Sequence, residues 1–236
     1  QRFGPLDAFP FGDHAEGQPL VYRIAGIGVG GANVWHTDVT WMERPSKGSI
    51  FHVVEAPAVG GDTLFSDSCA AYLGLPDEVR STLSGVCGVN DYRDFLARQR
   101  KEGLSEATIE ELKREVPFGV AHPLVRTHPE TGKQALYFNP SFLRHDSLHN
   151  ASGPWSPERS RRMVRFLMQQ HARPEYQCRF RYGAGSIAFW DNRACQHCAS
   201  ADYYPCARVG HRVTLSGDRP FFNPDAVPAT HPVERR

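Results

Sequence analysis

The segment that decides the fold is Ser186–His197, which reads Ser-Ile-Ala-Phe-Trp-Asp-Asn-Arg-Ala-Cys-Gln-His. Its first part, Ser186–Trp190, carries apolar and aromatic residues at strand-like spacing and predicts a β-strand. The polar block that follows ends in His197, an imidazole that can meet other functional side chains only through the tertiary fold. The segment therefore predicts a β protein with chemistry at the end of a strand.

Strands are also predicted on both sides of this segment. The 21 glycines and 18 prolines are spread along the chain and separate many short elements. The other predicted strands are Leu20–Ala25, Gly48–Glu55, Ala135–Phe138, Gln177–Tyr182 and Arg208–Leu215. Because strands dominate the first and last thirds and helices lie between them, we expect one mainly β domain with helical insertions.

Four helices are predicted between the strands: Ser66–Leu73, Pro76–Leu83, Ser105–Glu115 and Trp155–His171. The last is the clearest, because Ser156 suits the N-cap and Pro157 the first helical position. The charged segment 93–115 predicts an exposed helical insert, with a mobile lid as the alternative interpretation.

Composition excludes several classes of protein. Lysine and arginine number 27 against 26 aspartates and glutamates, a formal net charge of +1, so no basic excess indicates a nucleic-acid partner. No apolar run approaches the roughly 20 residues of a membrane-spanning helix. The six cysteines are too sparse for a disulfide framework, and no signal peptide is recognised, so we expect a cytoplasmic protein with reduced thiols.

The tripeptide His36-Thr37-Asp38 is the first candidate site. Residues two apart on a strand share a face, so the imidazole and the carboxylate can point to one place. That is two thirds of the 2-His-1-carboxylate set that binds Fe(II) and leaves coordination positions open. A structural histidine paired with a nearby carboxylate is the alternative.

Arg208 and Arg212 form a second candidate feature. They share strand parity about 13 Å apart, and two inward guanidinium groups each require an anion. The alternatives are exposure to solvent or pairing with an internal aspartate or glutamate.

Two further metal sites are considered and not favoured. Cys195, His197, Cys198 and Cys206 lack paired Cys-x-x-Cys spacing, so packed thiols are preferred to zinc. His122 and His128 are better explained by structural hydrogen bonds than by a second metal.

Six motifs in this order resemble the taurine dioxygenase family of Fe(II)- and 2-oxoglutarate-dependent oxygenases: His36–Asp38, Gly60–Leu64, His122–Pro129, Trp190–Arg193, Gln196–His197, and Arg208 with Arg212. The resemblance covers nearly the whole chain. It implies a double-stranded β-helix, or jelly roll, that forms one domain over residues 1–236, with an N-terminal segment of the family domain missing.

The resemblance also implies the cofactors and the residues that hold them. His36, Asp38 and His197 match the iron ligands. Arg208 and Thr63 match the groups that bind the distal carboxylate of 2-oxoglutarate. Trp190 and Asn192 match the family block and are expected to be structural. The implied cofactor is Fe(II), with 2-oxoglutarate and O2 as cosubstrates.

The implied partner is a small-molecule substrate. Arg212 matches an arginine that meets an anionic group of the substrate in several members. Phe9 and Gly12 replace taurine-contacting histidine and tyrosine residues, and Asn33 lies next to the position of a taurine-contacting asparagine. Phe9 and Phe142 are expected to make the pocket apolar. We therefore expect a substrate more apolar than taurine, and anionic if Arg212 is free.

The expected activity is hydroxylation coupled to decarboxylation of 2-oxoglutarate to succinate and CO2. Asp38 favours it over halogenation, because halogenating relatives replace the carboxylate ligand. Desaturation or oxidative C–S, C–O or C–N cleavage remains an alternative, as does a non-oxidative jelly-roll metal-binding protein. Neither nucleic acid nor membrane is expected as a partner, and homo-oligomerisation is left open.

Overall fold

The computed structural model describes residues 2–8, 13–27, 33–101 and 103–226. The described helices are α1 (Ser68–Leu73), α2 (Asp77–Leu83), α3 (Arg93–Lys101), α4 (Glu106–Glu115) and α5 (Pro157–His171), with a 3₁₀ turn at Pro174–Tyr176. The described strands are β1 (Leu6–Asp7), β2 (Asp13–Ala15), β3 (Gln18–Gly26), β4 (Gly48–Glu55), β5 (Thr63–Asp67), β6 (Cys87–Asn90), β7 (Val120–Pro123), β8 (Val125–Thr127), β9 (Gln134–Leu136), β10 (His149–Asn150), β11 (Gly153–Pro154), β12 (Gln177–Phe180), β13 (Ile187–Asp191), β14 (Cys195–Ala199) and β15 (Arg208–Leu215). The expectation of a mainly β protein with helical insertions is confirmed.

Two antiparallel sheets position the site. The larger has the order β13-β4-β15-β3-β2, with β1 also paired to β15, and the smaller has the order β12-β5-β14. An isolated antiparallel bridge pairs His36 with His197 of β14. The chain around His36 therefore lies beside the smaller sheet.

A hydrophobic core joins these two sheets. It contains the buried residues Phe51, Val53, Tyr182, Ala188 and Trp190, with Phe65 of the smaller sheet packed against them. The rings of Phe65 and Trp190 lie 5.6 Å apart between centroids. On β13 Ala188 and Trp190 are buried while Ile187 and Phe189 are exposed, as the period of two requires.

Several predicted boundaries hold. Strands β4 and β15 have the predicted limits. Helix α5 begins at Pro157, and the Ser156 hydroxyl accepts a hydrogen bond from the Arg159 backbone N–H, so its N-cap is confirmed. Ser105 caps α4 in the same way.

The predicted helix start at Ser66 is wrong. Ser66 lies inside β5, where it pairs with Gln177 on one side and Gln196 on the other. The strand ends at Asp67, whose carboxylate accepts hydrogen bonds from the backbone N–H groups of Cys69 and Ala70 and starts α1. Two-sided sheet pairing has overridden the local helical pattern.

The prediction for segment 93–115 needs correction as well. Helices α3 and α4 expose their charged residues, but they bury Leu96, Ile109 and Leu112 in a cluster with Trp41 and Tyr92. The insert is thus a packed part of the fold rather than a solvated excursion.

None of the helices in the described part of the chain combines the length and the apolar character that a bilayer crossing requires.

Candidate active site

The antiparallel bridge between His36 and His197 brings the two histidines next to each other. The His36 backbone N–H donates to the His197 carbonyl at 3.0 Å, and the His197 N–H donates to the His36 carbonyl at 2.8 Å. Their rings lie 4.1 Å apart between centroids. Backbone pairing, rather than any contact between the imidazoles, therefore sets the distance between them.

Asp38 completes a group of three ligands. Its Oδ1 lies 3.9 Å from Nε2 of His36 and 3.8 Å from Nε2 of His197. One ligand atom from each residue lies within 4.8 Å of the others, and no other group of three or more His, Cys, Asp or Glu side chains converges in this way in the part of the chain that is described. These distances are too long for hydrogen bonds, and they suit atoms that share an ion at about 2 Å each.

The protonation of this triad fits a divalent metal. The Nδ1 of His36 is 2.7 Å from the Val34 carbonyl, which can only accept, so Nδ1 carries the proton and the Nε2 lone pair is available. Burial, reinforced by the neighbouring His36, lowers the pKa of His197 to about 3, which keeps that imidazole neutral. Two imidazoles that offer Nε2 and one carboxylate are the donor set expected for non-haem iron(II).

The second oxygen of Asp38 is held by the protein. Ser49 donates its hydroxyl to Oδ2 at 3.3 Å, and Nη2 of Arg212 lies 3.3 Å from the same atom. Burial by itself raises the pKa of Asp38, but attraction to Arg212 and then to the two imidazoles keeps it well below its ordinary value. Asp38 therefore remains ionised with Oδ1 turned to the histidines.

A cavity of about 330 Å³ opens at the triad, and Arg208 lies in its wall. Arg208 Nη1 donates to the Gly61 carbonyl. Its guanidinium carbon lies 5.4 Å from the ring centre of Tyr203, 5.8 Å from that of Phe51 and 5.9 Å from that of Tyr182. Three aromatic rings and one carbonyl thus hold this cation within reach of the cavity.

Gly61 permits this close packing. Its φ is +72°, and a Cβ there would meet Pro57 Cγ at 3.1 Å, Tyr203 Cδ1 at 3.3 Å and Arg208 Cδ at 3.4 Å. A larger residue would strain the backbone and displace the arginine. The Gly-Gly pair before Thr63 is therefore explained by geometry at the cavity.

The structure brings most of the predicted site residues together. The cavity is lined by His36, His197, Thr63, Arg208 and Arg212, among others. Both arginines of β15 point inward. Arg212 pairs with Asp38, so the alternative of pairing with an internal aspartate applies to it.

Two predicted substrate residues, Phe142 and Asn33, do not join this group. Phe142 packs with Trp41 and Phe95 and lines a separate cavity of about 510 Å³. Asn33 is exposed and does not line the cavity at the triad. Phe9 lies outside the described residues.

Sequence reasoning missed four residues of the site. Ser49 and Phe51 occupy the buried face of β4, and a serine on that face was a usable signal. Tyr182 ends a predicted strand, but nothing in its spacing indicates a cavity. Tyr203 contacts Arg208 from a loop, and no pattern in the sequence indicates this contact.

The block Trp190–Arg193 at the end of β13 supports the site, and Trp190 also lines the cavity. Trp190 donates its indole N–H to Oδ1 of Asn192 at 2.9 Å. The Asn192 carbonyl in turn accepts from the Thr37 hydroxyl at 2.6 Å. These bonds tie the end of β13 to the segment that carries His36 and Asp38.

The alternative metal sites are not formed. Cys195, Cys198 and Cys206 are free thiols, and within the described residues none of them joins a ligand cluster. His122 bonds the Met42 carbonyl at 2.9 Å through Nε2. His128 lies 3.0 Å from Asp191 through Nε2, and its Nδ1 accepts backbone N–H bonds. Both histidines are structural.

Comparison with known proteins identifies a family and relatives that agree with this site. The family model described as taurine catabolism dioxygenase TauD, TfdA family matches residues 1–214. An alpha-ketoglutarate-dependent sulfate ester dioxygenase of Pseudomonas putida is 34% identical over 192 residues, which are 80% of this chain and 61% of that protein. An alkylsulfatase of Acinetobacter baylyi is 30% identical over 221 residues, 92% of this chain and 67% of that protein.

Solved structures agree in fold. A taurine dioxygenase from Burkholderia xenovorans superposes with a TM-score of 0.74 at 34% identity, and the match covers 96% of this chain and 73% of that one. The chain thus spans about three fifths to three quarters of the length of these three relatives.

Proposed function

The chain belongs to the taurine catabolism dioxygenase TauD, TfdA family, and from this premise we propose that it is an Fe(II)- and 2-oxoglutarate-dependent dioxygenase. The reaction hydroxylates a small organic substrate and converts 2-oxoglutarate to succinate and CO2. The observation that carries this proposal is the convergence of ligand atoms from His36, Asp38 and His197 within 4.8 Å, at a cavity whose wall contains both histidines and Arg208.

We assign the fold to the double-stranded β-helix and treat the chain as one domain. Two antiparallel sheets that share a hydrophobic core, with helices inserted between their strands, support this assignment.

Three residues would hold the metal: His36 and His197 through Nε2, and Asp38 through Oδ1. The bound iron, with its cosubstrates 2-oxoglutarate and O2, supplies the oxidation of a substrate C–H bond. Ser49 and Arg212 keep Asp38 Oδ2 engaged, so that the carboxylate presents its other oxygen to the metal. The Val34 carbonyl fixes the tautomer of His36.

Arg208 and Thr63 would bind the distal carboxylate of 2-oxoglutarate. Both line the cavity, and both side chains are buried. A guanidinium and a hydroxyl provide charge-assisted hydrogen bonds that need little reorganisation, because Arg208 is already held by Gly61 and by aromatic rings.

We further propose a small organic anion as the substrate. Two of the relatives are named a sulfate ester dioxygenase and an alkylsulfatase, and a third is named a taurine dioxygenase, so all three names point to sulfur-containing anions. Arg212 is not free, because its Nη2 lies 3.3 Å from Asp38 Oδ2, but its Nε is buried without a hydrogen-bond partner among the described residues and supports an anionic group here. Ile24, Phe51 and Trp190 line the same cavity and favour a substrate more apolar than taurine.

Cleavage follows from the same chemistry when the substrate is an alkyl sulfate. Hydroxylation at the carbon that bears the ester oxygen gives a hemiacetal-like sulfate, which breaks its C–O bond to yield an aldehyde and sulfate. The alkylsulfatase relative favours this as the second candidate outcome. Cytoplasmic location and independence from nucleic acid and membranes stay predictions.

A substrate screen tests the proposal. Alkyl sulfates, alkyl sulfonates, aryloxy acids and amino-acid derivatives are incubated with protein, Fe(II), 2-oxoglutarate and O2, and succinate is measured. We expect substrate-dependent succinate that is lost in Asp38→Ala and kept in His52→Ala, a matched change at an exposed histidine on β4. Failure of every substrate class to raise succinate above the substrate-free rate would contradict the proposal.

A further inference from the structure

A buried hydrogen bond beside the cavity links Thr63 to Tyr182, a residue outside all the motifs that identify the site. The Tyr182 hydroxyl donates to Thr63 Oγ1 at 3.2 Å, and both side chains line the cavity with Arg208. We propose that Tyr182 is a positioning residue, which directs the Thr63 hydroxyl proton toward the distal carboxylate of 2-oxoglutarate. This inference rests on the proposed function and specifies how its cosubstrate is recognised.

The direction follows from the hydrogen-bonding capacity of the two hydroxyl groups. A threonine hydroxyl has one proton and can accept from other donors. Because Tyr182 donates to Thr63, the Thr63 proton is left for a different acceptor. Burial raises the pKa of Tyr182, so the phenol stays protonated and remains a donor at neutral pH. A carboxylate beside Arg208 is the acceptor that this arrangement suits.

The geometry around Tyr182 fixes its ring. Phe51 meets it edge-on, with centroids 5.7 Å apart and an interplanar angle of 87°. Phe180 packs on it at 5.0 Å and 65°. Phe180 is the strand partner of Thr63, so sheet register sets the separation of the two hydroxyls. A ring held in this way loses little entropy when the cosubstrate binds.

The test measures binding without turnover. Calorimetric titration of 2-oxoglutarate into Mn(II)-loaded protein compares wild type, Tyr182→Phe, Thr63→Val and the double variant. We expect affinity to fall about 3- to 10-fold in Tyr182→Phe, from loss of one neutral hydrogen bond, and about 10- to 150-fold in Thr63→Val. The double variant should match Thr63→Val, since Tyr182 acts through Thr63.

A second ligand separates recognition of the distal carboxylate from general damage. The five-carbon acid 2-oxopentanoate keeps the 2-oxo acid and lacks the distal carboxylate, so Tyr182→Phe should leave its affinity unchanged. Thr63→Ser should restore both affinity and the dependence on Tyr182. Tyr92→Phe is the matched control, because it removes a phenol bond to the Val116 carbonyl outside the cavity.

The outcomes are distinct. Equal 2-oxoglutarate affinity in Tyr182→Phe and wild type would overturn the inference and leave the proposed function standing. Full additivity in the double variant would also overturn it, because Tyr182 would then act independently of Thr63. If wild type binds neither ligand, both the inference and the proposed function fail.

Discussion

The two ends of the cavity are built differently. At the proposed metal end, formed by His36, Asp38 and His197, the Asp38 Oδ1 lies 3.8–3.9 Å from Nε2 of each histidine without a hydrogen bond to either. At the carboxylate end, formed by Thr63, Tyr182 and Arg208, the polar groups are already engaged with protein partners. We infer that the three side chains of the metal end need a bound ion to join them, whereas the side chains of the carboxylate end are already held in place by the protein. Losses should therefore be close to all-or-none at the metal end and graded at the carboxylate end.

The largest effect is expected at the metal end. Asp38→Ala removes the only carboxylate of the triad, and Mn(II) affinity measured by calorimetry should fall by more than about 100-fold, because even outer-shell changes cost 10- to 100-fold. His52→Ala serves as the control. Retention of wild-type affinity in Asp38→Ala would show that the metal binds elsewhere.

A large change in stability is expected away from both ends. Ile109 is fully buried in the cluster around Trp41, so Ile109→Ala should lower the free energy of unfolding by about 2–5 kcal/mol in urea titrations. At temperatures where the variant is folded, 2-oxoglutarate affinity should be unchanged. Glu110→Ala, the exposed neighbour on α4, is the matched control. A fall in affinity would mean that the insert shapes the cavity.

Substitutions at the carboxylate end should lower 2-oxoglutarate affinity without abolishing binding. Arg208→Ala removes a charge-assisted pair, and 2-oxoglutarate affinity should fall about 10- to 150-fold while Mn(II) affinity is kept. Arg165→Ala on the exposed side of α5 controls for the loss of a positive charge. Unchanged 2-oxoglutarate affinity would exclude Arg208 as the carboxylate ligand.

The smallest effect, counted per pH unit, concerns a residue outside both ends of the cavity. His171 is buried next to Ser66, and burial lowers its pKa to about 3. The unfolded chain takes up this proton near its ordinary pKa of about 6.5, whereas the folded chain does not, so stability falls as the pH drops from about 6.5 toward 3.

The slope from this one group approaches about 1.4 kcal/mol per pH unit. His171→Gln should flatten the curve of unfolding free energy against pH by that amount, since the other histidines contribute equally to both proteins. Parallel curves would contradict the assignment of a neutral, buried His171.

Only part of the metal end could be predicted from local spacing, because His36 and Asp38 lie two residues apart. His197 is matched to them through the family resemblance, since it meets His36 only in a backbone bridge between distant segments. The shared face of Arg208 and Arg212 follows from local spacing as well, and the structure places both in the cavity wall.

The rest depends on contacts between distant segments. The local pattern predicts a helix from Ser66, and it carries no sign of the pairing of Ser66 with Gln177 and Gln196 in the sheet. The sequence predicts Phe142 in the substrate pocket, but its ring packs against Trp41. Tyr182 reaches Thr63 only through sheet register, so no spacing rule could find it.

The charged insert shows the same limit on a larger scale. Its sequence is dominated by charges. The burial of its few apolar residues, among them Leu96 and Ile109, can be predicted only if their packing against Trp41, which is distant in sequence, is known. A charge pattern indicates which face of a helix is exposed, but it does not indicate what packs against the opposite face.

The most direct test is an anaerobic absorption measurement on Fe(II)-loaded protein. Addition of 2-oxoglutarate should produce a visible charge-transfer band in wild type, the same band at higher 2-oxoglutarate concentration in Arg208→Ala, and no band in Asp38→Ala. Absence of the band in wild type, or its persistence in Asp38→Ala, would contradict the proposal that His36, Asp38 and His197 hold iron beside the cosubstrate.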